Sequence, residues 1–231
     1  MSNNYYNNCQ NITNRARDIA ILRKTEVCRK AKGVADTNSM VLLGYKHDFV
    51  GVENTLKGNP IDHLPQILSN IAQAGFIYWH NLTFITEAFM RTNLERFDIG
   101  KYEHGDLEKD YKENPLSEVI EGFAISTITW EGDSLTQFTP FGYDDKGRPE
   151  FQEVFAPTTP EGFETLARVG GRGIEILKSF ANYCREELDS AEGRVYVEAV
   201  KELIEEKGLR DAIAYLSEIR SKNDDDNPNL N

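Results

Sequence analysis

With 231 residues, 39% of them hydrophobic and 28% charged, the chain is long enough for one sizeable core and too apolar for wholesale disorder. Its net charge of −12 argues against general nucleic-acid binding. No run approaches the roughly 18 apolar residues that would span a bilayer, and MSNNYYNNCQN lacks an export signal, so no membrane association is expected.

Cys9, Cys28 and Cys184 are odd in number and far apart, with no CxxC or zinc spacing. They read as reduced thiols in a cytoplasmic protein. The charge is unevenly placed. Residues 1–33 carry seven Lys/Arg against two Asp/Glu, a net of +5, which leaves −17 on the remainder. An acidic body of this kind suits a basic partner or a surface that imitates nucleic acid.

Along the chain, residues 1–12 are polar and Asn-rich and are expected to be disordered. From Ile12 to Ala31, Ala16, Ile19 and Ala20 recur at helical spacing. Arg23, Lys24, Arg29, Lys30 and Lys32 gather in the second half of that helix and are expected to point outward. Residues 40–52 read as a strand and turn. A helix follows, with Asp62 as N-cap, a core stripe of Leu64, Ile67, Leu68 and Ile71, and Gly75 as its stop. Residues 76–88 are aromatic and β-branched and predict a strand, with Phe76, Tyr78 and Trp79 in the core. Residues 94–116 are charged and interrupted by glycine, and read as a surface insertion or long loop.

Three strand-like runs, 119–130, 135–143 and 148–155, are separated by the turns Glu131-Gly132-Asp133-Ser134 and Asp144-Asp145-Lys146-Gly147. Such short connections predict an antiparallel meander, with Pro140 and Pro149 at edges, bulges or strand ends. The C-terminal part reads as helices. One starts at Pro160 behind a Thr159 cap, and Gly170-Gly171-Arg172-Gly173 breaks it from a second over 174–188. Ser190 caps a third, and Gly208 separates it from a fourth over 209–220, giving an apolar αα-hairpin.

The expected fold is therefore α+β, with the 119–155 meander and the 76–88 strand in one antiparallel sheet and helices on one face. The expected organisation is a disordered N-terminus (1–12), an α+β core domain (13–157), a helical segment packed on it (158–221) and a disordered acidic tail (222–231).

Glu87 shares strand parity with Ile77, Trp79, Ile85 and Phe89, and Glu121 shares it with Val119, Phe123 and Ile125. If the two strands are neighbours, two carboxylates meet on a partly buried face. Repulsion then raises one pKa, as acid/base work requires, or a divalent cation holds both. His104, His80 or Asp133 would complete such a catalytic cluster. Gly171, Arg172 and Gly173 are the candidate anion-binding residues, because free amides at a helix start hold phosphate or carboxylate. No nucleophile elbow, HExxH or phosphate loop is present.

The first expectation for function is a non-enzymatic interaction or accessory protein with another protein as its partner and no implied cofactor. The alternatives are a metal-dependent hydrolase or other enzyme using paired carboxylates, and a sensor of a small anion or ligand.

Overall fold

The computed structural model describes residues 2–46, 48–91, 119–155 and 160–226, with residues 109, 112 and 113. Helix α1 (Ser2–Ala31) is followed by β1 (Met40–Tyr45), β2 (Asp48–Glu53), α2 (Pro60–Gln73), β3 (Asn81–Arg91), β4 (Val119–Thr129), β5 (Ser134–Tyr143) and β6 (Pro149–Phe151). Three further helices, α3 (Pro160–Leu188), α4 (Ala191–Lys207) and α5 (Leu209–Asp226), complete the described chain. The expected loop at 94–116 falls almost wholly outside the described residues.

The strands form one antiparallel sheet in the order β2-β1-β3-β4-β5-β6. The expected α+β architecture and the 119–155 meander are present. Pro140 sits where β5 changes partners: its last pair with β4 is Gly122–Pro140, and its pairing with β6 begins at Phe141–Phe151. Pro149 opens β6, where its missing amide costs no ladder bond. The 76–88 strand is displaced. It begins at Asn81 and runs to Arg91, while Phe76, Tyr78 and Trp79 are buried as expected in the lead-in segment.

Helices cover both faces of the sheet, not one. Val41, Leu43, Leu82, Phe84 and Ile128 point to a core shared with Leu64, Ile67, Leu68 and Ile71 of α2 and with Leu177, Val200, Ile204 and Leu209 of α3 to α5. Met40, Leu42, Ile85, Phe123, Ile125 and Phe141 point the opposite way, onto Ala16 and Ala20 of α1. That is why every residue of β1 is buried and its sequence, MVLLGY, runs apolar without alternation.

Four boundaries differ from those expected. The helix α1 starts at Ser2, so the N-terminus through residue 12 is helical, and Cys9 and Ile12 are buried by it. Asn59, not Asp62, caps α2: its Oδ1 accepts the Ile61 amide at 3.2 Å, and Asp62 lies in the first turn. The segment Gly170–Gly173 does not break the chain; α3 runs through it unbroken. Ser190 caps α4 as expected, its hydroxyl accepting the Gly193 amide at 2.9 Å. Gly208 separates α4 from α5, which continues as helix to Asp226 rather than ending at 220.

Candidate functional site

Antiparallel pairing of β3 with β4 sets Glu87 opposite Phe123 and Phe89 opposite Glu121. The two glutamates are thus diagonal neighbours on the face covered by α1, close enough for long side chains to meet. Their surroundings come from two other parts of the chain. On α1, residues Ala16, Ala20, Lys24 and Cys28 recur every four positions and turn to the sheet, all of them buried. Small side chains at 16 and 20 let the helix approach closely, and Lys24 enters the interface at 0% exposure.

After α1, Lys32 takes a left-handed conformation (φ 57°) and the Gly33 amide returns to Cys28 O at 3.2 Å. This C-terminal motif turns residues 34–39 back across the sheet and delivers Asp36 and Thr37 to the same place.

The result is a polar cluster between α1, the connector and the sheet. Lys24 Nζ donates to both oxygens of Glu87, at 2.8 and 2.9 Å. The Thr37 amide donates to Glu87 Oε1 at 2.7 Å, and the Thr37 hydroxyl bonds the same oxygen. Behind Lys24, the rings of Phe141 and Tyr143 lie 4.8 and 5.5 Å from its nitrogen, giving the buried ammonium two aromatic faces as well as its anion. One carboxylate oxygen each from Asp36, Glu87 and Glu121 lies within 4.8 Å of the others. Asp36 is exposed and Glu87 half-buried, while Glu121 is only 8% exposed.

Burial pushes the Glu121 carboxyl up to about 7. Lys24 opposes that rise, and the negative Glu87 and Asp36 reinforce it. Burial and the same carboxylates push the Tyr143 phenol strongly upward, so it stays a neutral donor. The Tyr143 hydroxyl is buried and has no hydrogen-bond partner among the described residues.

Of the residues singled out from sequence, Glu87 and Glu121 are brought together. His104 lies outside the described residues. His80 and Asp133 do not join the cluster: His80 Nδ1 accepts the Lys46 amide at 3.0 Å beside Tyr78, and Asp133 sits in the β4–β5 turn.

Gly171, Arg172 and Gly173 are corrected. They lie inside α3, where the amides are committed to the helix ladder and none is free for an anion. Arg172 pairs instead with Asp62 across the α2–α3 groove at 3.1 Å. Gly173 is buried and faces the sheet, where an added Cβ would meet the Phe84 ring at an ordinary contact distance of 3.5 Å.

Sequence reasoning missed Lys24 and Asp36. For Lys24 the signal was there, since it occupies the i+4 position after Ala20 and precedes Cys28 by four. Asp36 carries no such signal.

All three cysteines are free and buried. Burial raises Cys9 to about 11 and Cys184 to about 12, so neither supplies a thiolate nucleophile at neutral pH. Among the described residues no helix is long and apolar enough to cross a membrane. The chain matches no protein-family model, no curated protein and no solved structure.

Proposed function

We propose that the protein is a divalent-cation-dependent enzyme of the hydrolytic class, with Asp36, Glu87 and Glu121 as the cation ligands. The observation that carries this reading is the convergence of those three carboxylates within 4.8 Å beside a fully buried lysine. Once all three carboxylates are ionised, the single ammonium leaves a net of −2, which a divalent cation would neutralise. Carboxylate oxygens are hard donors, and they favour Mg²⁺, Mn²⁺ or Ca²⁺ over Zn²⁺.

A cation held by these three residues would act as a Lewis acid, polarising a substrate oxygen and lowering the pKa of a bound water. Lys24 and Thr37 hold Glu87 in one orientation, and the Tyr143 hydroxyl is a neutral donor at the edge of the cluster.

The test is thermal unfolding with Mg²⁺, Mn²⁺, Ca²⁺ or Zn²⁺ on wild type, Asp36→Asn, Glu87→Gln and Glu121→Gln. An ion at 100 times its Kd adds about 2.7 kcal/mol, a rise of several degrees for a chain of this length. The rise is expected with the hard ions in wild type and is lost in the three variants. If no ion raises the melting temperature of wild type, or all three variants respond as wild type does, the reading fails. A positive result leads to a screen of phosphoester and amide substrates with the preferred ion.

A protein-binding role is the second reading, and one feature favours it. A 710 Å³ groove between α2 and α3 is floored by Leu68, Ile176 and Phe180, with Tyr183 48% exposed at its side. The αα-hairpin does not add to this case, because Val200, Ile204, Leu209 and Ala212 are spent on the chain's own core. A Tyr183→Glu variant that keeps every partner captured by wild type would count against it.

A further inference from the structure

On the other side of the sheet, a 650 Å³ cavity lies between the lead-in to β3, the end of β4, the C-terminal turns of α3 and helix α4. Its floor holds Tyr78, only 8% exposed, edge-on to Trp130 at 5.6 Å between ring centroids. The hydrogen bonding of Tyr78 leaves one proton over. The Lys46 amide donates to His80 Nδ1 at 3.0 Å, and two donors cannot face one another, so Nδ1 carries no proton. The neutral imidazole then bears its proton on Nε2, which donates to the Tyr78 oxygen at 3.3 Å. Burial favours the same neutral ring by pushing the His80 pKa down. The phenol's own proton has no acceptor among the described residues.

Over the same ring, Lys201 Nζ stands 5.4 Å from its centre and gives one of its hydrogens to Glu198 at 2.8 Å, leaving two. Leu188 and Val197 supply an apolar wall, and Arg185 is locked over Trp130 by two bonds to the Trp130 carbonyl. At the rim, Glu186, Asp189, Glu198 and Arg194 are exposed, with Arg194 3.9 Å from the Asp189 carboxylate. The layout is therefore a buried hydroxyl, a half-buried ammonium, an apolar wall, and a mouth of three carboxylates and one guanidinium.

We infer that this cavity binds a free apolar α-amino acid, its carboxylate taken by the Tyr78 hydroxyl and Lys201, its side chain laid on Leu188, Val197 and Trp130, and its ammonium facing the acidic mouth. A purely apolar ligand leaves the buried hydroxyl unanswered. None of these residues belongs to the carboxylate cluster, so this site and the cation site stand or fall separately.

Calorimetric titration of the full chain with phenylalanine, phenylalaninamide and N-acetylphenylalanine tests it. Saturable binding of phenylalanine is expected, with each blocked analogue at least roughly tenfold weaker, because each leaves a charged partner unanswered. Tyr78→Phe removes one oxygen and Lys201→Met keeps the stem, so both variants are expected to fold, and each should weaken phenylalanine about tenfold. The inference is overturned if phenylalanine shows no saturable binding in the millimolar range, if the amide binds as well as the acid, or if both variants bind as wild type does.

Discussion

Glu87 and Glu121 occupy diagonal positions on one face of the β3–β4 ladder, yet only Glu87 receives Lys24 and Thr37. Two chemically identical side chains are thereby given different settings. One is clasped by an ammonium, an amide and a hydroxyl, while the other is buried with its carboxyl raised to about 7. Neighbouring carboxyls set apart in this way are a recurring feature of acid/base and cation centres.

The raised carboxyl has a consequence for stability. The folded chain holds a proton on Glu121 that the unfolded chain releases near the ordinary glutamate value. Stability from this group therefore falls as pH rises from that value to about 7, and levels off above it. Glu121→Gln removes the slope. Urea titrations from pH 4 to 8 should show the variant gaining on wild type with pH, by up to about 3 kcal/mol before solvent screening reduces it. A constant difference across that range would contradict the placement of Glu121.

Cation binding should be coupled to the same proton. At pH 7 a cation seated on Glu121 displaces about half a proton, since the group is then near its midpoint. Titration calorimetry in buffers of different ionisation enthalpy measures that release directly. The release is expected to shrink by pH 8 and to vanish in Glu121→Gln.

Lys24 is fully buried, and its removal strands Glu87. Lys24→Met is expected to destabilise the fold by roughly 3–5 kcal/mol, whereas Lys24→Met with Glu87→Gln should recover much of that loss, because no uncompensated buried charge remains. Equilibrium denaturation of the two single variants and the double variant gives the coupling energy. Additive losses would mean that the pair does not anchor α1 to the sheet.

The glycines of the C-terminal helices separate two kinds of site. Gly171 lies inside α3 with open space where a Cβ would go, so Gly171→Ala should stabilise by roughly 0.5–1 kcal/mol. At Gly193 a Cβ would come within 2.6 Å of Leu188 Cα and 2.7 Å of Glu187 O, so Gly193→Ala should cost roughly 1–3 kcal/mol. Thermal unfolding of both variants checks the pair. Destabilisation by Gly171→Ala would restore the idea of a specialised turn there.

Much of the scaffold was legible from sequence because it is written in local periodicities. Leu64, Ile67, Leu68 and Ile71 mark one face of a helix wherever that helix goes, and the two short polar turns after β4 and β5 admit antiparallel neighbours only. The parity of Glu87 with Ile85, and of Glu121 with Phe123 and Ile125, assigned each carboxylate to a face in the same way. Gly170-Gly171-Arg172-Gly173 misled because glycine's local preference for breaks was overridden by packing. Packing of α3 on the sheet, with Gly173 and Leu177 buried against it, outweighs the low helix propensity of the glycines.

The sequence by itself determined the α+β class, the meander, the Ser190 cap and Gly208 break of the last two helices, and the face on which each glutamate sits, since all of these depend on side-chain spacing along a single stretch of backbone. Only the tertiary structure decided that β3 and β4 are adjacent in the register that makes Glu87 and Glu121 neighbours, that α1 lies on the face opposite α2–α5, and that Lys24, Asp36 and Thr37 converge on the two glutamates. Those outcomes depend on contacts between residues dozens of positions apart, where burying Ala16 and Ala20 on the sheet carries a lysine inward that its local sequence, rich in other cations, gave no reason to bury.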